Sequence, residues 1–222
     1  GKSKLNDTGK ALLLKRAKIV AGAMSKMTEV VSLLKKQEEE RGITNTLIYC
    51  GATTINDISF KEDENDEDDV KQIDYLRKII KDNIDLKIAK FTSTETTEER
   101  KYIKEQFIDK SINAIIAIKC LDEGVNIPSI ETAYLLASST NPREYVQRRG
   151  RVLRKFSNKQ YSTIYDFITL PRDLDVASRY SEEDLKGDLG LVKRELIRME
   201  DFANDALNYS SYIEIRDKIN KV

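Results

Sequence analysis

The chain has 222 residues, 34% of them charged, with 38 Lys+Arg against 38 Asp+Glu and a formal net charge of +0. That length holds one sizeable core with an appended helical piece, and the neutral balance means that any nucleic-acid contact must come from a local basic groove. Histidine is absent, which removes His-based triads, His–metal sites and a histidine general base.

Cys50 and Cys120 each fall in or beside an expected strand and are expected to be buried thiols, with no disulfide framework and no metal site. No run reaches transmembrane length and the start lacks a signal-peptide apolar core, so the expectation is a soluble, cytoplasmic chain with no membrane partner. The first residue is Gly1 rather than methionine, which suggests a piece of something larger.

Residues 1–10 are polar. Gly1-Lys2-Ser3 shares the last letters of a phosphate-binding loop but lacks its strand and glycines, and Gly9-Lys10 lacks the following Ser or Thr. Residues 11–40 read as one long helix, because Leu13, Leu14, Ala17, Val20, Ala21, Met24, Met27, Val31 and Leu34 recur at three- and four-residue spacings. Gln37 to Arg41 reads as its charged tail and Gly42 as its stop. Thr46 to Cys50 is a short apolar run ended by Gly51, as expected of a strand covered on both faces. The acidic stretch 61–69 contains Asp66-Glu67-Asp68-Asp69, but no apolar strand precedes it, so it reads as a solvated loop and helix start. A helix over 70–81 turns Ile73, Leu76, Ile79 and Ile80 inward.

Leu86 to Phe91 alternates like a strand, Thr92-Ser93-Thr94 turns, and Thr96-Thr97-Glu98-Glu99 forms a capping box for a helix through Phe107. Strands are also expected at Ala114–Ile118, Ala133–Ala137 and Ser162–Ile168. Alternating strands and helices imply a parallel sheet with right-handed crossovers, whose ligands gather at the carboxyl ends of strands. Gly51, Thr92, Ser93, Lys119 to Gly124, and Ser138 to Thr140 are expected there. From Pro171 the sequence turns to polar helix formers: a short helix capped by Ser181, a longer one from Leu191 carrying Leu196, Ile197, Met199, Phe202, Ala203 and Leu207, and a final piece after a break at Tyr209–Tyr212. A packing arm and a coupling element to another domain are both open readings of this region.

The most informative stretch runs from Asn141 to Lys155. Asn141 reads as an N-cap and Pro142 as the first helical residue, where a missing N–H costs nothing. At about 100° per residue, Glu144, Gln147, Arg151 and Arg154 share one stripe, with Gly150 leaving room beside them. Tyr145, Val146, Val152 and Leu153 are expected to anchor the other side. Arg149 interrupts that apolar side and must snorkel outward or meet a carboxylate. Planar, permanently charged guanidinium forks suit phosphate oxygens.

The order Gln-Arg-x-Gly-Arg-x-x-Arg after a Pro-started helix resembles the last signature motif of superfamily 2 DEAD/DEAH-type helicases and translocases, closest in detail to the DExH and restriction-enzyme-type branch. The resemblance implies that Arg151 and Arg154 are arginine fingers, with Gln147 and Arg148 near the phosphates of an ATP held mainly by another domain. Cys120 to Pro128 resembles the penultimate motif, which implies that Gly124 gives a tight backbone and that Glu123 or Asn126 faces the nucleotide. Two positions depart from many members: Asn126 stands for aspartate and Ile118 for threonine, with Lys119 a candidate substitute for the lost hydroxyl. The first motif of such a domain falls at Thr46 to Gly51, and Phe91-Thr92-Ser93 with Glu99, Arg100 and Phe107 resembles the segment touching the tracked strand. Gly51, Thr92, Ser93 and Lys119 are thereby candidate nucleic-acid contacts. Lys26 stands where relatives often carry a lysine, and is read here as a surface residue.

The likeness spans roughly residues 13–170. It implies an α/β chain: an N-terminal helical lead-in over 1–42, a RecA-like parallel sheet flanked by helices over 43–170, and a helical extension over 171–222. No Gly-x-x-x-x-Gly-Lys-Ser/Thr loop and no strand-borne Asp-Glu box are present, so the phosphate cradle and the Mg²⁺ ligands are expected on an N-terminal RecA-like domain. The implied function is the second motor domain of a DNA or RNA helicase/translocase. ATP and Mg²⁺ are the cofactors of the complete enzyme, neither is expected to bind tightly to this chain alone, and restriction or repair subunits are possible partners. The competing readings are an inert interaction module that kept the fold and a self-contained nucleotide enzyme, which would lack both a glycine-rich loop and a histidine base.

Overall fold

A computed structural model describes residues 24–50, 72–92, 94–118, 127, 129–136, 142–156, 159–171, 174, 179 and 181–221. These divide into two compact units, Gly1–Ser138 with Arg143–Phe167, and Ser139–Pro142 with Ile168–Val222. The acidic stretch 61–69 lies outside the described residues.

In the first unit, helix α1 (Met24–Arg41) buries Met27, Val31 and Leu34 of the expected stripe together with Val30, while Met24, also expected on it, is 39% exposed. Gly42 ends it at φ 76, a left-handed backbone that a Cβ disfavours, and its N–H returns to Glu38 O at 3.1 Å. Strand β1 (Thr46–Cys50) is buried at every position. Helix α2 (Gln72–Asn83) turns Ile73, Leu76 and Ile80 into the same core. Strand β2 (Ile88–Phe91) leads to helix α3 (Thr97–Ile108), whose N-cap Thr96 and Glu99 exchange both bonds of a capping box. Strands β3 (Ala114–Ile118), β4 (Thr132–Leu135) and β5 (Thr163–Asp166) complete the sheet, with helix α4 (Pro142–Val152) between the last two.

The sheet has five parallel strands in the order β2-β3-β1-β4-β5. The expected α/β architecture, a parallel sheet flanked by helices, is therefore present. The central strands are continuous apolar runs because helices cover both faces and leave no solvent side for polar residues. Strand order reverses between β1 and β4, and the crevice outside their carboxyl ends is where open α/β sheets commonly hold ligands. Tyr134 of β4 stacks on Tyr165 of β5 with ring centroids 4.6 Å apart. Its hydroxyl donates to Gln37 Oε1 at 2.8 Å, and Gln37 Nε2 donates to Thr46 Oγ1 at 3.2 Å. Gln37 is thus buried rather than part of a solvated tail, because the sheet supplies the partners that its amide needs.

In the second unit, helix α5 (Glu182–Ala203) is one helix of 22 residues where the sequence reading placed two. Gly190 does not break it: a Cβ there would meet nothing within 4 Å, and Arg194 Nε donates to its carbonyl at 2.9 Å. Helix α6 (Tyr209–Asn220) begins at the tyrosine expected in a break, so Tyr209–Tyr212 is its first turn. Ile197 and Leu207, two of the apolar residues noted in this region, are 53% and 86% exposed. The inner side of α5 instead carries Leu191, Ala203 and the pair Glu195–Arg198, whose carboxylate and guanidinium bond at 3.1 and 3.0 Å. Thr169 N also donates to Glu195 Oε2, at 3.0 Å.

Candidate functional site

Helix α4 presents the arginines. Tyr145 and Val152 are buried at 5% and 0% exposure, and seven residues bring a helix back to within about 20° of the same direction. Val146 and Leu153, expected as further anchors, are 43% and 44% exposed because each lies about 100° away from that stripe. Arg149 shares the inner side and is half-buried. On the outer side Gln147 is exposed and Arg151 half-buried. The room that Gly150 leaves opens outward, since a Cβ there would touch nothing within 4 Å.

The helix stops at Val152, so Arg154 lies past its end rather than on a continued stripe. Lys159 and Ser162 account for the stop. Lys159 Nζ donates to Val152 O at 2.7 Å and to Ile130 O at 2.9 Å, and Ser162 Oγ donates to Val152 O at 3.1 Å. Carbonyls at a helix C-terminus lack intrahelical partners and carry the negative end of the helix dipole, so an ammonium is well matched there. Partial burial lowers the Lys159 pKa, against a smaller upward pull from Glu131. Nothing local in the sequence marked Lys159; its partners lie 7 and 29 positions away.

Ile130 stands two residues before β4, so the ammonium that joins it to Val152 sets the end of α4 beside the amino end of the sheet. Arg151 and exposed Arg154 follow it there. The carboxyl-end rule therefore does not extend to the arginines.

Thr92, in contrast, follows the carboxyl end of β2. Its N–H and its hydroxyl both bond Glu95 Oε2, and the Thr94 N–H donates to Thr92 Oγ1 at 3.2 Å. Arg100 donates to Thr92 O at 2.6 Å, and its guanidinium carbon lies 5.6 Å from the buried Phe91 ring centroid, with Lys104 Nζ at 5.9 Å. Two cations within about 6 Å of one aromatic ring form a basic edge beside the turn. The Thr92 hydroxyl is already engaged by Glu95, so the local positive charge comes from Arg100 and Lys104.

A helicase family model, described as "Helicase conserved C-terminal domain", matches residues 25–156. The chain belongs to that family. A DNA 3'-5' translocase XPB2 from Sulfurisphaera tokodaii is 36% identical over 58 residues, covering 26% of this chain and 13% of that protein. "Putative helicase 22" of a Sulfolobus islandicus filamentous virus is 33% identical over 82 residues, covering 36% of this chain and 15% of its own. The matched stretch is thus a small part of each relative. Among solved structures, T4 UvsW aligns over 93% of this chain and 36% of its own, with TM-score 0.56 and 19% identity. The C-terminal part of the Fun30 ATPase domain aligns over 76% and 45%, with TM-score 0.50 and 17% identity. These likenesses are of fold.

In this helicase C-terminal domain Lys26 is buried at 5% exposure, not on the surface. Its ammonium donates to Leu136 O at 3.1 Å, just past the carboxyl end of β4, and Leu136 N in turn donates to Tyr49 O at 3.0 Å. Lys26 therefore stands at the β1–β4 switch point. The signal for its burial was its place one turn before Val30 on the inner side of α1. Gly51, Ser93, Lys119, Cys120, Glu123, Gly124, Asn126 and the Arg148 side chain lie outside the described residues. Cys50 is a buried free thiol whose pKa is pushed up by burial. Among the described residues no cluster of metal-ligating side chains occurs and no helix is long and apolar enough to cross a membrane.

Proposed function

We propose that this chain is the second motor domain of an ATP-driven helicase or translocase of the DExH or restriction-enzyme type, working on DNA or RNA. The observation that carries the reading is the end of α4: an outward Gln147 and a half-buried Arg151 on the helix, an exposed Arg154 just past it, and a last helical carbonyl clamped by Lys159. Guanidinium groups that stay charged at any working pH, held on a fixed backbone, fit developing charge on phosphate oxygens. The donor set fits the edge of an ATP site and not its cradle, since the chain supplies cations but no glycine-rich loop. When bound, ATP supplies the phosphoryl group to be transferred. In this reading Arg151 and Arg154 stabilise its charge, Gln147 and Arg148 orient the phosphates, and Glu123, Gly124 and Asn126 border the nucleotide. An N-terminal RecA-like domain supplies the Mg²⁺ ligands.

Thr92, at the end of the sheet away from Arg151 and Arg154, follows a nucleic-acid backbone in this reading, with Arg100 and Lys104 adding charge beside Phe91; Gly51, Ser93 and Lys119 are assigned to the same contact from the sequence alone. The division into 1–42, 43–170 and 171–222, a cytoplasmic setting, and restriction or repair subunits as partners belong to the same proposal.

The test joins the chain to its N-terminal motor domain and measures nucleic-acid-stimulated ATP turnover. Arg151→Ala and Arg154→Ala are each expected to lower turnover by about 10²-fold or more with folding intact, and the chain alone is expected to hydrolyse essentially no ATP. Unchanged turnover in both variants rejects the motor reading and leaves a domain that kept the fold as an interaction module.

A further inference from the structure

A cavity of about 600 Å³ opens at the amino ends of β1, β4 and β5. None of the residues proposed to face ATP or the nucleic-acid strand lines it, although Lys159, which clamps the end of α4, does. Three cations line it, Arg41, Lys110 and Lys159, against one carboxylate, Glu131. That carboxylate already accepts from Asn45 Nδ2 at 3.0 Å. Arg41 meets neutral oxygens, donating to Thr132 Oγ1 at 3.2 Å and to Thr163 Oγ1 at 3.5 Å. A guanidinium has five donors in a planar fork, and two hydroxyls at these distances leave its charge unbalanced. Lys110 follows the C-cap of α3 with φ 66, a conformation that costs a non-glycine residue free energy and is held at the cavity wall.

Two rings complete the lining. Phe156 is half-buried, and Tyr161 is 70% exposed, an unusual setting for so large an apolar face. Ligand pockets commonly measure roughly 300–1,000 Å³ and combine apolar walls with a few convergent polar groups. Excess positive charge selects an anion, the Arg41 fork suits a tetrahedral oxyanion, and the rings suit a flat partner. We propose that this cavity binds a mononucleotide, with its phosphate at Arg41 and Lys110 and its base against Tyr161 and Phe156. The same chemistry is offered by a free nucleotide and by the phosphorylated end of a nucleic-acid strand.

The experiment titrates the whole chain with AMP, inorganic phosphate, adenosine and a 5'-phosphorylated tetranucleotide, followed by amide resonances. AMP is expected to shift Arg41, Gly42, Lys110, Tyr161 and Thr163 together and to saturate. Phosphate alone and adenosine alone are each expected to bind about tenfold more weakly or worse, since each keeps half of the contacts. Arg41→Gln and Lys110→Gln, both exchanges of exposed side chains, are each expected to weaken AMP by about tenfold, the range of one charge-assisted bond. Tyr161→Leu is expected to weaken AMP while leaving phosphate unchanged. Tighter binding of the tetranucleotide than AMP, with the same dependence on Arg41, assigns the site to a strand end; equal or weaker binding assigns it to free nucleotide. AMP shifts scattered away from the cavity overturn the proposal, as does an Arg41→Gln, Lys110→Gln double variant that keeps native dispersion and full AMP affinity.

Discussion

Replacing Lys159 by methionine keeps the aliphatic stem and deletes the ammonium that spans Val152 O and Ile130 O at 2.7 and 2.9 Å. A hydrogen bond from a charged donor contributes about 1.5–3 kcal/mol, and one cation shared between two carbonyls contributes less than twice that. Val152 O keeps Ser162 Oγ at 3.1 Å, whereas Ile130 is buried and its carbonyl loses this donor. Methionine also escapes the desolvation that lowers the Lys159 pKa, which returns part of the loss. The net expectation is a destabilisation of roughly 2 kcal/mol, or about 4–8 °C in Tm for a chain of this size. Urea unfolding followed by circular dichroism measures it, with exposed Lys155→Met as the control. Equal midpoints for the two variants at equal m-values would refute the clamp.

In the second unit, Glu195→Gln alone is expected to cost about 3–5 kcal/mol, because it removes the carboxylate charge paired with buried Arg198, while Glu195→Leu with Arg198→Met costs less. Urea midpoints that fall as far in the double variant as in the single one would contradict this. Gly42→Ala should cost about 1–2 kcal/mol through backbone strain at φ 76 alone, since the added methyl meets nothing within 4 Å, and Gly42→Asn should cost less; equal losses would point to packing instead. Burial holds the Cys50 thiol neutral above its ordinary 9.0, so the unfolded chain loses a proton that the native chain keeps. Stability should be unaffected by this group below pH 9 and fall by up to about 1.4 kcal/mol per pH unit above it. Tyr134, raised by burial and by Tyr165, adds a loss of the same sign above 10.0. Cys50→Ala should flatten the slope between these two values; an unchanged slope would exclude the thiol as its source.

The strands were legible because a covered parallel sheet demands unbroken apolar runs, and Thr46–Cys50 and Ala114–Ile118 are such runs in full. Gly42 and the Thr96–Glu99 box were legible because each operates within one turn of chain. Helix α5 was misread as two because Gly187 and Gly190 weaken the local pattern, while the tertiary bonds of Glu195 that favour continuity lie outside it. Periodicity marked the apolar side of α4 but overestimated its width, since Val146 and Leu153 stand at its margin and only the neighbouring chain decides what it covers.

Neighbours within a few residues were enough to fix the α/β order, the apolar runs that imply a parallel sheet, the stop of α1 at Gly42, the start of α3 at Thr96 and the run of arginines after Pro142. Folding decided which carbonyls the ammonium groups of Lys26 and Lys159 meet, and with them where the arginine helix ends. It also set the arginines and the Thr92 turn at opposite ends of the strands. A lysine carries the same charge wherever it stands, and what it does depends on which carbonyls folding brings within 3.1 Å of its nitrogen, in one case from 110 positions away.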